Sequence, residues 1–195
     1  MFGHGRKLHE ARYSQAAFDA ALHDELCAMA SREVALIANL RASGALTART
    51  APIDNAEFAR LSERHAERIW ELIDDLELWP GARVAGDDGA HAAWTIVMHA
   101  QRDLDLQRRA LDHIEIAVDF GDALPVQYAT LADRIAMSEG HAQRYGTQFV
   151  PTPNGATLDP WPIDEPDTVD GRRALVGLPP LAEQLAAVRA EYHAH

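Results

Sequence analysis

The sequence predicts an all-α protein, a single compact domain of about six helices closed by an irregular, proline-rich C-terminal strap. Three observations carry that prediction. Apolar residues recur at three- and four-residue steps through most of the first 140 positions, the period of a helix with one buried face. No pair of segments alternates with the period of two that a half-buried strand requires. From Val150 to about Gly171, five prolines and several Asp/Glu residues interrupt any period, which ends regular structure there. At 195 residues and 47% hydrophobic content, the chain is long enough for one well-buried domain spanning 1–195.

The elements follow in order. Residues 1–13 carry little apolar pattern and are expected to form a flexible N-terminus. Phe18, Leu22, Leu26, Met29, Ile37 and Leu40 mark a long amphipathic helix over roughly 14–42 that stops near Gly44, and Glu33 falls inside that apolar stripe. Pro52 and Asp54, with Glu57 three residues on, resemble a capping box for a second helix. Its stripe is Phe58, Leu61, Ile69, Leu72, Ile73 and Leu76, and Trp79-Pro80-Gly81 ends it. Asp87-Asp88 places negative charge at the start of a third helix, about 89–101, and Asp103 can cap a fourth, about 104–119. Pro125 suits the first turn of a fifth helix, about 125–139, with Tyr128, Leu131 and Ile135 inward and Gly140 as its stop. Trp161 and Ile163 among the prolines favour an ordered strap over 150–177 rather than a linker. A last helix follows Leu178-Pro179-Pro180.

Composition excludes several function classes. Eighteen basic against thirty acidic residues give a net charge of −12, and no Lys/Arg cluster is interleaved with aromatics, so nucleic acid and anionic membrane surfaces are disfavoured partners. No apolar run approaches membrane-spanning length and no leader-like h-region follows the N-terminus, which predicts a soluble, cytoplasmic protein. The lone Cys27 lies in a helical pattern and reads as a small buried hydrophobe. No Gly-x-Ser-x-Gly elbow and no lysine-bearing glycine loop appears, which argues against nucleophilic serine chemistry and nucleotide binding.

Hydrogen-bonding capacity concentrates in residues 128–149. There a helix carrying Asp133-Arg134 runs through Gly140 into Gln143-Arg144-Tyr145-Gly146-Thr147-Gln148, an array of amides, a hydroxyl and aromatic surface suited to a pocket wall. The third helix adds His91, Thr95 and His99. The predicted chemistry is acid–base without metal or cofactor: His99 as general base or acid, Asp133 fixing its tautomer, and Arg134, Gln143, Tyr145, Thr147 and Gln148 binding a small polar molecule for hydrolysis or elimination. Because Asp133 and Arg134 leave the helix about 100° apart, one of them is structural. Arg134 could hold the 143–148 carbonyls, and the reverse assignment is open. Against this stands the ordinary case of His99 as a core residue bonded to a backbone carbonyl. A metal site from His91, His99 and His141 is a further alternative, although no HExxH or paired ExxH spacing supports it. So is an accessory, immunity-type protein offering its acidic surface to a basic partner. His65, in the second helix's stripe, reads as a packed core or interface histidine.

The chain resembles a bacterial family known as domain of unknown function 6624. The resemblance rests on Trp79-Pro80 followed by Gly86, the helix reaching His99, Gln107 and Leu111, Leu131-x-Asp133-Arg134, Gln143-x-Tyr145-Gly146-Thr147-Gln148, and a tail with Ile163-x-Glu165, Val169, Arg172-Arg173 and Gly177-Leu178. It implies a common site around His99, Asp133, Arg134 and the Tyr-Gly-Thr-Gln segment, and no known activity. In the first helix the chain departs from the pattern, reading Met29-Ala30-Ser31-Arg32-Glu33 where an acid-rich Met-x-x-x-Asp followed by an arginine is expected.

Overall fold

A computed structural model describes residues 3–46 and 53–193, with side chains from His9 onward. Its α-helices are α1 (Gly3–Gln15), α2 (Ala20–Ala42), α3 (Ala56–Leu76), α4 (Ala82–His99), α5 (Leu104–Asp119), α6 (Pro125–Ser138), α7 (Val169–Leu175) and α8 (Leu181–His193). Among the described residues the only sheet is a short antiparallel pair, β1 (Phe149–Pro151) with β2 (Leu158–Pro160). The protein is all-α apart from that hairpin. No described helix is long and apolar enough to cross a membrane.

The chain divides into two compact units, one holding α1–α5 up to Leu124, the other holding Ile53 and the residues from Pro125 onward. In the first unit α2 packs most extensively on α4. Leu26, Ile69, Ile73, Trp79, Ile96, Leu106 and Ile114 are fully buried, and apolar area of this kind contributes roughly 25 cal/mol per Å².

Local signals position most helix ends. Asp19 caps α2, accepting from the amides of Ala21 and Leu22 at 2.9 and 3.1 Å, and Asp103 caps α5 through Leu106 as its sequence implies. Pro125 opens α6, and Gly140 lies beyond its end with φ of +76°. Four expectations change. Residues 3–13, expected to be flexible, lie in α1, whose Tyr13 stacks on Phe120 at 4.5 Å between ring centres. Phe18, assigned to the α2 stripe, precedes that helix and is exposed. Asn55, not Asp54, caps α3, because its side-chain oxygen reaches the Glu57 and Phe58 amides; Pro52 lies outside the described residues. The third helix of the sequence reading is only the second half of α4.

Gly86 explains that shortfall. It interrupts α4 with φ of +69°, a left-handed conformation natural to glycine. The break releases the Ala85 carbonyl to accept from His23 Nδ1 of α2 at 2.7 Å. At the start of α4, Asp122 supplies a cap from a distant turn: its carbonyl accepts from Ala82 N and its Oδ1 from Arg83 N at 2.7 Å. Asp122 packs directly on Gly81, where an added Cβ would lie 2.3 Å from Oδ2 and 2.5 Å from the Asp122 carbonyl oxygen. Since one clashing atom is backbone, Gly81→Ala is expected to lower stability by about 1–3 kcal/mol. Urea unfolding measures this directly; an unchanged midpoint would show that the Asp122 turn can move aside.

The strap of the second unit is ordered by hydrogen bonds. Gln143 bridges in parallel to Ile163, with Gln143 N donating to Pro162 O and Asp164 N to Gln143 O. Trp161 Nε1 donates to His141 O at 2.7 Å. Arg189 of α8 binds Leu158 O and Asp159 of β2, and Asp170 of α7 accepts from Leu181 N at the start of α8.

Candidate functional site

The first unit brings together three ionisable side chains from three helices. Glu33, on the buried face of α2, is fully excluded from solvent. Its Oε1 accepts from His65 Nδ1 of α3 and its Oε2 from His99 Nδ1 of α4, both at 2.7 Å. Burial alone would raise the Glu33 carboxyl, but the two imidazole hydrogen bonds outweigh it and hold the group below its ordinary value of 4.5. An ionised carboxylate only accepts, so each Nδ1 carries its proton, and a ring in its neutral form keeps Nε2 as a lone-pair base. Among the described residues no group hydrogen-bonds either Nε2.

The surroundings fix His99 in particular. It is the last residue of α4, its ring meets the Phe58 ring edge-on at 5.8 Å, and its carbonyl accepts from buried Ser62, one turn before His65 on α3. Buried Gln107 of α5 donates to Val97 O at 3.0 Å, satisfying another carbonyl in the same last turn. The two rings differ in access. The side chain of His65 is 8% exposed and that of His99 20%, so His99 is the ring that meets solvent.

The second unit uses Asp133 differently. Buried on α6, its carboxylate accepts from Arg144 N, Tyr145 N, Thr147 N and Thr147 Oγ1, all between 2.7 and 3.1 Å. Both oxygens are occupied by the segment that follows the helix. Gln143, fully buried, accepts from Gln148 N and donates to Gln148 O and Trp161 O. Gln148 Nε2 donates to Thr130 O and Thr147 Oγ1. The carbonyls of the same segment are held by Arg172, through Arg144 O, and by Arg173, through Tyr145 O and Gly146 O. Gly146 has φ of +69°, and an added Cβ would meet Leu181 at 2.9 Å and Ile163 at 3.1 Å, so its close approach is to the strap.

Several expected roles change accordingly. The carboxylate that orients His99 is Glu33, whereas Asp133 serves as the structural anchor of its own loop. The carbonyl-holding role considered for Arg134 belongs to Arg172 and Arg173. Gln143, Thr147 and Gln148 spend their polar atoms inside the network, while the Tyr145 ring faces the Arg144 guanidinium at 5.9 Å. Arg134 Nε and Nη1 are sealed from solvent with no partner. The His91 ring lies tilted against Trp94, 5.6 Å between ring centres, and exposed His141 pairs with Glu139 at 3.3 Å. Among the described residues no three His, Cys, Asp or Glu side chains converge to hold a metal ion. Cys27 is half-buried rather than fully so, 3.9 Å from His23 Nε2, and burial together with Asp88 and Asp24 pushes its thiol up, away from thiolate character.

Comparison with known proteins adds one finding. A model of a family of unknown function, DUF6624, matches residues 20–194. The chain belongs to that family. The matched span holds both the Glu33–His65–His99 cluster and the Asp133 network. No curated protein and no solved structure matches the chain.

Proposed function

We propose that this DUF6624 protein is a small enzyme that uses acid–base chemistry, hydrolysis or elimination, on a polar small molecule, with His99 exchanging the proton. The observation that carries the reading is the solvent-excluded Glu33 carboxylate shared by two imidazole Nδ1–H groups. When His99 Nε2 takes a proton, the imidazolium is stabilised at once by the Glu33 charge across its Nδ1–H bond, with no solvent reorganisation. His65 holds the other carboxylate oxygen and so fixes the orientation of Glu33. The chemistry requires no metal, and the imidazole–carboxylate set provides both an acceptor and a donor form.

The competing reading is a non-catalytic module whose buried polar triad only specifies the fold; the near-complete burial of His65 favours it. His99→Asn separates the two. Asparagine places an N–H close to where Nδ1 stood, so it can still donate to Glu33, but it carries no counterpart of Nε2. Turnover in a metabolite screen of the wild type is expected to fall roughly 10²–10⁴-fold in this variant, with helical circular dichroism unchanged. Equal activity in wild type and variant would remove His99 from the chemistry.

A further inference from the structure

Two arginines of the second unit meet burial in opposite ways. Arg173 is fully buried, yet its guanidinium donates to Pro179 O at 2.7 Å, Tyr145 O at 2.6 Å, Gly146 O at 3.2 Å and the Gln184 side-chain oxygen. Asp170 and Asp133 add compensating charge. Arg134 of α6 is half-buried and has nothing of the kind. Its Nε and Nη1 are closed off from solvent and reach no acceptor, and burial pushes the guanidinium below its ordinary value with no neighbouring charge acting in either direction. The adjacent Asp133 cannot serve, since consecutive helical side chains diverge by about 100° and both its oxygens are filled by the 144–147 segment.

A guanidinium keeps its proton and offers only donors. With Nε and Nη1 desolvated and unpaired, it carries a penalty that native proteins offset with an anion or acceptors. We propose that Arg134 anchors a binding site for a small oxyanion, a carboxylate or phosphate group of a ligand, which completes the hydrogen bonding and neutralises the partly buried charge. An oxyanion presents several acceptor oxygens to a planar set of donors. A neutral amide or sugar ligand would satisfy donors but leave the charge. The site does not depend on the imidazole chemistry of the first unit.

The test uses the full chain, titrated with inorganic phosphate and, separately, acetate, against sodium chloride at matched ionic strength. A saturable rise in the thermal midpoint is expected for at least one oxyanion and not for chloride, with the Arg134 Nε–H resonance shifting along the same isotherm. Phosphate acting alone assigns a phosphate ligand, acetate alone a carboxylate. Arg134→Gln should abolish the response. Arg134→Lys, which keeps the charge but not the fork, should weaken it tenfold or more. His99→Asn should leave it intact, so failure of the acid–base proposal and failure of the anion site are distinguishable. The same response in Arg134→Gln as in wild type would overturn the site. So would an unmoved Arg134 resonance in wild type, a measurement that stands even where the variant does not fold.

Discussion

Glu33→Ala is expected to destabilise the first unit by about 3–5 kcal/mol, the cost of removing one partner from a buried ionic network and leaving the others unmatched. Two imidazole N–H groups would face a cavity, one of them on His65, which has almost no access to water. Glu33→Gln separates stability from chemistry. A carboxamide offers one acceptor and one donor, so one ring keeps its Nδ1–H bond while the other must accept through Nδ1 and move its proton to Nε2. That tautomer is no base. The expected result is near-native stability at neutral pH with turnover lowered by roughly 10²-fold or more when His99 is the ring that turns over.

The same residue sets an acid limit. The folded-state value of Glu33 lies below its ordinary 4.5, so its stabilising contribution is complete above about that pH and is lost as pH falls through the lower folded value. Urea midpoints measured from pH 6 to pH 3 should decline in this range in the wild type, and the decline should be shallower in Glu33→Gln. A parallel decline in both would assign the acid sensitivity to other carboxylates.

Asp133→Ala is the second large effect, and it should be structural. Four donors on three residues converge on this buried carboxylate. Losing a charged acceptor of that kind costs about 1.5–3 kcal/mol per well-made bond before relaxation, so an overall loss of about 3–5 kcal/mol is reasonable once water re-solvates part of the loop. Hydrogen exchange should accelerate first at the amides of Arg144, Tyr145 and Thr147. The His99 Nδ1–H signal should be unaffected, because its carboxylate is Glu33. A His99 signal that disappears in Asp133→Ala would contradict this division of labour.

The helices were legible because their signals are local. Caps such as Asp103 act within three residues, Pro125 and Gly140 act on their own dihedrals, and the apolar stripes of α2 and α3 repeat within each turn. Even the key residues of the triad left a trace: Glu33 and His65 are ionisable groups on stripes that otherwise bury apolar side chains. Two such misfits on neighbouring amphipathic helices are a signal for a buried pair, and with His99 they would have pointed to the cluster. The tight run of polar residues at 143–148 likewise marked an ordered segment.

What the sequence could not decide was partnership. His65 and His99 lie 32 and 66 residues from Glu33, and only the packing of α3 and α4 against α2 brings the three side chains to one point. Asp133 and Arg134 are adjacent in sequence and look interchangeable as candidates. The segment after α6 aims the Arg144, Tyr145 and Thr147 N–H groups at Asp133 and leaves Nε and Nη1 of Arg134 without an acceptor. Helix period and capping are written into a few neighbouring residues by backbone hydrogen bonding. The choice of which carboxylate meets which imidazole is made by side-chain packing between distant elements, and that information exists only in the folded chain.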